Sequence, residues 1–349
     1  MSKPKSLVTG ACGFMGTHMI DVLAEAGHDI RATDLPSAWE ADDRKAGRFP
    51  SVLKQHGVEF IPADLAQPET LAPLVKDVDY IFHIASIFSY KAPWSALKRV
   101  NVDGTRALLD DALRDRNGLK RVVVWGAGGI YGLPDPDDIP FREDSPPAPT
   151  NDYLRSKWRE EHLVMQYGKE RGLPWTIMRP TTVYGPRAVY GGGQLLMGAA
   201  KMPVAAMPKS FTAHIPFVHV RDVCRAALHL AQTPAAEGQA YNLNDDTVMT
   251  TVEFFKYVAD LTGHKFVELP AIPIMKVRAA ILGLMDLVSA VTTIAGLPPA
   301  VERGPIEFLG HDFMYANDKL KSTGFTFQYP DARDGIRDTI AWYQQEGWI

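Results

Sequence analysis

Tyr153 and Lys157 stand four residues apart in the run Asn151-Asp-Tyr-Leu-Arg-Ser-Lys157. On a helix that spacing puts both side chains on one face. An ammonium beside a phenol favours the phenolate and draws the hydroxyl toward the range in which it exchanges a proton with a substrate alcohol. The same spacing also arises on ordinary amphipathic helices, so the chemistry depends on what else the chain supplies. A second grouping is Thr9-Gly10-Ala11-Cys12-Gly13-Phe14-Met15-Gly16. Its glycines permit a tight turn, close approach of backbone to a pyrophosphate and close helix packing, and a helix starting there offers free N–H donors. Asp34 follows Gly16 by 18 positions. A carboxylate there accepts hydrogen bonds from both adenosine ribose hydroxyls and repels a 2′-phosphate, which favours NAD(H) over NADP(H). Arg31 nearby is the counter-argument for the phosphorylated cofactor. Asp64, in Ala63-Asp64-Leu65, ends the expected third strand, where it meets an adenine amino group or serves only as a loop carboxylate.

These residues need elements to hold them. The runs SLVTG, HDIRATDL, VEFIPADL, VDYIFHIAS and RVVVWGAG are short, apolar and β-rich, and each precedes a helical or loop segment. That rhythm predicts parallel strands joined by right-handed crossovers, an α/β doubly wound sheet of Rossmann type. The stretch from Gly132 to Thr150 is rich in Pro and Asp and predicts a surface loop leading into a helix near Asn151. A further strand from Trp175 (WTIMRPTTVYGP) continues the sheet, and Tyr190-Gly-Gly-Gly193 breaks the pattern. The expected organisation is a dinucleotide-binding domain over 1–186 to which 215–235 returns, a substrate lobe over 187–214 and 236–330 that Tyr241-Asn-Leu-Asn244 re-enters, and a C-terminal helix over 331–349.

Composition narrows the function. The 349 residues carry 37 basic and 41 acidic side chains, a net charge of −4, so no global field favours nucleic acid. Cys12 and Cys224 allow at most one bridge, and Cys12 lies in the glycine turn, so both are expected to be free thiols in a reducing compartment. Met1-Ser-Lys-Pro-Lys leads directly into the first strand without a signal-like apolar run, which predicts a cytoplasmic protein. No metal is expected. The run Ala279 to Val301 is long and apolar with only Asp286 charged. Its internal charge, Pro298-Pro299 and the adjoining Lys276 and Arg278 predict a buried or lid helix, with peripheral membrane contact through 279–301 as the other reading.

The glycine motif, His83-Ile-Ala-Ser86, Asn101-Val-Asp-Gly-Thr105, Ile130-Tyr-Gly132, the Tyr153/Lys157 pair and Arg179-Pro-Thr-Thr-Val-Tyr-Gly-Pro186 occur in a fixed order. In that order the chain resembles the extended short-chain dehydrogenase/reductase superfamily, of epimerase/dehydratase type, over essentially its full length. The resemblance implies that Tyr153 is the catalytic acid/base, that Lys157 tunes it and holds the nicotinamide ribose, and that Asn101 lies beside the cofactor. It places NAD against Gly10, Gly13, Phe14, Met15, Gly16, Asp34, Asp64, Leu65, Ile84, Ala85, Ser86, Asn101, Tyr153, Lys157, Pro180 and Val183. It also implies a homodimer paired through the helix after Asn101 and the helix bearing Tyr153. One departure stands out: the family usually has Ser or Thr five residues before the Gly of V-Y-G, and this chain has Ala127. A methyl cannot hydrogen-bond, so Ser86, Ser89 or a water must replace that donor, or turnover is slow or absent.

Nucleotide-sugar enzymes of the superfamily generally carry Asn before V-Y-G-P, whereas here the position is Thr182. Between Arg187 and Ala300 nine Lys/Arg face eight Asp/Glu, little attraction for a dianionic ligand. Leu195, Leu196, Met197, Met202, Met207 and Phe211 make the lobe apolar, suited to a lipid-like ligand or simply to its own core. Phe88, Tyr90 and Trp94 follow the fourth strand and are placed to meet a substrate, together with Ser86, Ala127, Thr182, Tyr190 and Met197. RPTTVYGP, the greasy segment before Pro298, Phe308-Leu-Gly-His-Asp-Phe and Asn317-Asp-Lys-Leu-Lys look most similar to the 3β-hydroxysteroid dehydrogenase branch. That likeness implies NAD-dependent interconversion of a secondary alcohol and ketone on a sterol-like skeleton. The Tyr153 phenolate would take the alcohol proton as hydride passes to NAD+, with Lys157 and the ribose relaying the proton outward. The alternatives are a nucleotide-sugar epimerase or dehydratase, an aldehyde or ketone reductase, and an NAD(H)-sensing protein without turnover.

Overall fold

A computed structural model describes residues 3–114, 118–294 and 304–349. Seven strands form one parallel sheet: β1 (Lys5–Thr9), β2 (Asp29–Thr33), β3 (Glu59–Phe60), β4 (Tyr80–His83), β5 (Arg121–Trp125), β6 (Trp175–Pro180) and, later in the chain, β10 (Gln239–Leu243). Their spatial order is β10-β6-β5-β4-β1-β2-β3. The order reverses between β1 and β4, and there the carboxyl ends of the strands open a crevice for a dinucleotide.

The strand sequences are apolar on both faces because both are covered. Val8, Phe82, Val123, Trp125 and Met178 pack into one layer with α1 (Phe14–Glu25) and the later α7 (Val220–Gln232). Their neighbours Leu7, Ile81, Val122, Val124 and Ile177 point the other way, and join a second layer with Leu108 and Leu109 of α4 (Thr105–Arg114) and Leu163 and Val164 of α5 (Asp152–Arg171). Between these helices lie two short ones, α2 (Pro50–His56) and α3 (Trp94–Leu97), and a π-helical turn, Lys98–Gly104, that runs into α4.

A smaller lobe follows. β7 (Thr182–Tyr184) pairs with β9 (Phe217–His219), and β8 (Val204–Pro208) with β11 (Lys265–Leu269). Leu196 of α6 (Gly192–Ala200), Phe254 and Val258 of α8 (Thr251–Thr262), and Ile336, Ile340 and Tyr343 near the C-terminus share one core with Tyr184 and Phe217. The chain then adds α9 (Ile274–Ile294), α10 (Gly304–Glu307), α11 (Asp318–Lys321) and α12 (Ala332–Gln345). The C-terminal helix therefore packs into the lobe rather than standing apart.

Three expectations change. The strand from Trp175 breaks after Pro180, where proline has no N–H to continue a ladder, so Thr182 and Val183 lie on β7 and not on the central sheet. The segment around Tyr241 does not re-enter the lobe, because Gln239–Leu243 completes the central sheet beside β6. β3 ends at Phe60, leaving Asp64 in the following loop. Among the described residues no helix is long and apolar enough to cross a membrane. The part of the 279–301 run from 295 onward lies outside the described residues.

Candidate active site

The glycine turn is built by exclusion. Gly10 has a φ of 65°, in the left-handed region that favours glycine, and a Cβ on it would sit 3.0 Å from Ala85 Cα. A Cβ on Gly16 would lie 2.1 Å from the Gly10 carbonyl oxygen, so only glycine lets α1 start this close to the turn. Gly13 is the N-cap and provides no side-chain cap. The N–H groups of Phe14, Met15 and Gly16 in the first turn have no acceptor within the helix and are left for an anion. At the end of β2, Asp34 Oδ2 accepts the Cys12 N–H at 3.0 Å and Oδ1 the Leu35 N–H at 2.8 Å. Each oxygen keeps a lone pair, and burial raises the carboxyl above its ordinary range. This cradle fits the pyrophosphate and adenosine ribose of NAD. Arg31 is no rival, because its guanidinium is tied to Glu59 and to the carbonyls of Pro73, Leu74 and Lys76.

Other predicted contacts turn inward. Asp64 accepts the Ala66 N–H at 2.8 Å and bonds the Gln67 side chain, closing its own turn. Leu65 packs so tightly on Gly104 that a Cβ there would meet its carbonyl oxygen at 2.6 Å. Asn101 is fully buried in the π-helical turn and bonds the Ile87 N–H, the Ile87 carbonyl and Ser156 Oγ. It clamps the loop after β4 to α5. Thr9 Oγ1 accepts the N–H groups of Ile84 and Ala85, both at 3.0 Å, and fixes the β4 exit next to the glycine turn.

α5 is started by Asn151, whose side chain accepts the Leu154 N–H at 3.0 Å, and is stopped by Gly172 in a left-handed conformation. Tyr153 and Lys157 lie one turn inside it, both buried. Rings enclose Tyr153: Phe88 at 4.9 Å between centroids and Tyr90 at 5.7 Å, both edge-on. Phe88 continues to Tyr190 at 5.1 Å, Tyr190 to Phe14 at 5.9 Å, and Tyr90 to Phe308 at 6.4 Å. Ala127 falls in the same apolar cluster, with Leu97, Ile130, Tyr131 and Tyr315. Ser89 Oγ accepts the N–H groups of Lys91 and Ala92 as a turn cap and keeps its own proton to donate. Trp94 lies beneath the Arg155 guanidinium at 4.2 Å, and Met197 packs in the lobe core, so neither belongs to the cluster around Tyr153.

The electrostatics depart from the expected pattern. Lys157 Nζ lies 2.5 Å from Glu160 Oε2, one turn further along α5, and both side chains are almost fully buried. Burial, followed by Tyr90, Glu160 and Tyr190, holds the Tyr153 phenol well above its ordinary range instead of drawing it down. Burial likewise pushes Tyr190 up to about 12. The next carboxylate, Glu161, meets Arg179 of β6 through Nε at 3.0 Å and Nη2 at 2.9 Å. Arg179 also donates to Tyr131 Oη at 2.7 Å and to the Glu143 carbonyl at 2.9 Å. Glu160, Glu161 and Tyr315 were not singled out from the sequence, and Phe308 only as the head of the run Phe308-Leu-Gly-His-Asp-Phe. The position of Glu160 three residues after Lys157 was the available signal.

A glycine-turn cradle at the reversal of a seven-stranded parallel sheet, with a Tyr/Lys pair on the helix across it, defines an NAD-dependent enzyme of the extended short-chain dehydrogenase/reductase type. The chain belongs to the NAD dependent epimerase/dehydratase family, which it matches over residues 6–244. It is similar to the UDP-glucose 4-epimerase of Azospirillum brasilense, 29% identical over 74% of this chain and 66% of that one. It is also similar to the 3-beta-hydroxysteroid dehydrogenase of Mycolicibacterium neoaurum, 28% identical over 74% of this chain and 70% of that one. The matches thus span about two thirds of those relatives' own lengths. Among solved structures, gox2253 superposes with a TM-score of 0.75 at 27% identity, covering 99% of each chain.

Proposed function

We propose that this protein interconverts a secondary alcohol and a ketone on a hydrophobic, steroid- or sterol-like substrate with NAD as cofactor. The observation that carries this reading is the wall of rings around the Tyr153 hydroxyl. Phe88, Tyr90, Tyr190 and Phe308 offer flat apolar surface with few polar groups, which suits a rigid hydrocarbon skeleton better than a sugar. The steroid dehydrogenase relative supports the same direction.

NAD, when bound, exchanges a hydride with the carbinol carbon. The chain's own residues do the rest. Gly10 to Gly16 and Asp34 hold the adenosine diphosphate end, and the apolar wall orients the skeleton and excludes water. Tyr153 Oη takes the alcohol proton in oxidation and returns it in reduction. Lys157 supplies the buried positive charge that stabilises the phenolate.

The test is NADH formation, read by absorbance, with NAD+ and a panel of 3β-hydroxysterols, simple secondary alcohols and nucleotide sugars. Turnover on sterols that disappears in Tyr153→Phe is the expected result. Turnover on nucleotide sugars alone would transfer the protein to the epimerase class. Binding of NAD with no turnover on any of them would point to a sensor.

A further inference from the structure

Glu160 is a buried carboxylate whose surroundings leave it one strong partner. His83, at the end of β4, settles most of this by counting hydrogens. Thr9 Oγ1 already accepts two N–H groups, so its single proton goes to His83 Nδ1, at 2.9 Å. His83 Nε2 then carries the hydrogen and donates it to Thr105 Oγ1 at 2.8 Å, with Glu160 Oε1 further away at 3.6 Å. Thr105 in turn gives its proton to the Asn101 carbonyl at 2.8 Å, leaving Glu160 Oε1 at 3.4 Å. His83 is held neutral by burial and by Lys157. The chain Thr9–His83–Thr105–Asn101 thus reaches Glu160 Oε1 only through the longer Thr105 contact, and among the described residues the cation paired with Glu160 is Lys157.

The other charged groups near this point are accounted for. Glu161, also on α5, is bound by Arg179 from β6. Lys98 and Asp103 of the π-helical turn pair with each other at the surface. From the loops, Tyr90 packs edge-on against Tyr153 at 5.7 Å, and Tyr90 and Tyr190 both help to hold its phenol up. Glu160 is thus the carboxylate ion-paired with Lys157, and after burial and Tyr90 it holds the Tyr153 phenol up.

We propose that Glu160 is a positioning residue for the catalytic pair: by neutralising the Lys157 ammonium it keeps Tyr153 protonated, and loss of its charge unmasks the ammonium and releases the phenolate. Its carboxyl is itself lifted to about 7, chiefly by burial. This assignment rests on Tyr153 being the proton-transfer group of the proposed reaction.

The test needs neither substrate nor cofactor. The tyrosinate absorbance of the purified protein is titrated, and the Tyr153 contribution is isolated by subtracting the Tyr153→Phe variant. The same pair of titrations is run in the Glu160→Gln background, where the amide oxygen still accepts from Lys157. The midpoint of Tyr153 is expected to fall by about one pH unit or more in Glu160→Gln. An unchanged or higher midpoint would overturn the proposal and leave Glu160 as a structural filler. Should Glu160→Gln lack a cooperative melt, Glu160→Asp, which withdraws the carboxylate by one methylene, is read by the same criterion with a smaller downward shift expected. Failure of the sterol assay would not alter these titrations, so the two readings stand or fall separately.

Discussion

Glu160 and Glu161 are adjacent on one helix, both buried and both paired with a cation, yet they sit in opposite kinds of surroundings. Glu161 meets a guanidinium that is itself fixed by Tyr131 and by the Glu143 carbonyl, and Tyr131 Oη donates to Asn242 Oδ1 at 2.7 Å. That network ties α5, β6, β10 and the 132–150 loop together. Glu160 meets a flexible ammonium at one oxygen and helps to hold the reacting phenol up. Planar, multiply bonded pairs serve as braces, whereas a point charge on a long stem remains free to respond to a ligand. The difference teaches that burial alone does not separate structure from chemistry. The number of fixed partners does.

The sharpest way to divide the two regions is at the phenol. Tyr153→Phe removes one oxygen from the reacting side and is expected to lower kcat by about 10²–10⁴-fold, with NAD binding and the melting temperature unchanged. On the braced side, Glu161→Ala leaves Arg179 buried and unpaired, and should destabilise the protein by about 3–5 kcal/mol in urea unfolding. An equal loss in kcat at full stability would erase the distinction drawn above.

The pH dependence of stability gives a smaller effect. The Glu160 carboxyl is raised in the folded protein from 4.5 to about 7, so the folded state binds this proton more tightly than the unfolded chain does. Wild type is therefore favoured below the unfolded value and loses stability as pH rises from about 4.5 to about 7. Gln does not titrate, so the stability of Glu160→Gln relative to wild type should climb across that window by an amount on the order of 3 kcal/mol. It should be flat on either side. Melting both proteins at matched pH values checks this.

The smallest effect is expected at Ala127. Its methyl lies among apolar side chains beside Tyr153, and Ala127→Ser should leave stability within about 1 kcal/mol and turnover equal or somewhat higher. A strong loss of turnover would show that the small side chain makes room for substrate.

Much of the cofactor side was legible in the sequence, because a glycine turn and an acid at the end of the next strand act locally. Gly10 to Gly16 and Asp34 are close in sequence and their roles follow from backbone sterics and one carboxylate. The hydrogen bonds that Asp64 and Asn101 make within the chain were not legible, for the opposite reason. Residue type announces hydrogen-bonding capacity but not which partner claims it, and the Ala66 N–H and the Ile87 backbone claimed it first. That Trp94 lies against Arg155 and Met197 packs on the lobe core was not legible either, because apolar side chains carry no direction in a sequence.

By itself, then, the sequence determined the parallel sheet, through strands apolar on both faces, and the Tyr153/Lys157 pair, through helical spacing. Only the tertiary structure decided the electrostatic state of that pair. It brought His83 from 74 residues away to Thr9 and joined it through Thr105 to the edge of Glu160, whose paired cation is Lys157. Local spacing fixes which groups can meet. Desolvation and competition among distant partners fix the charge they carry when they do.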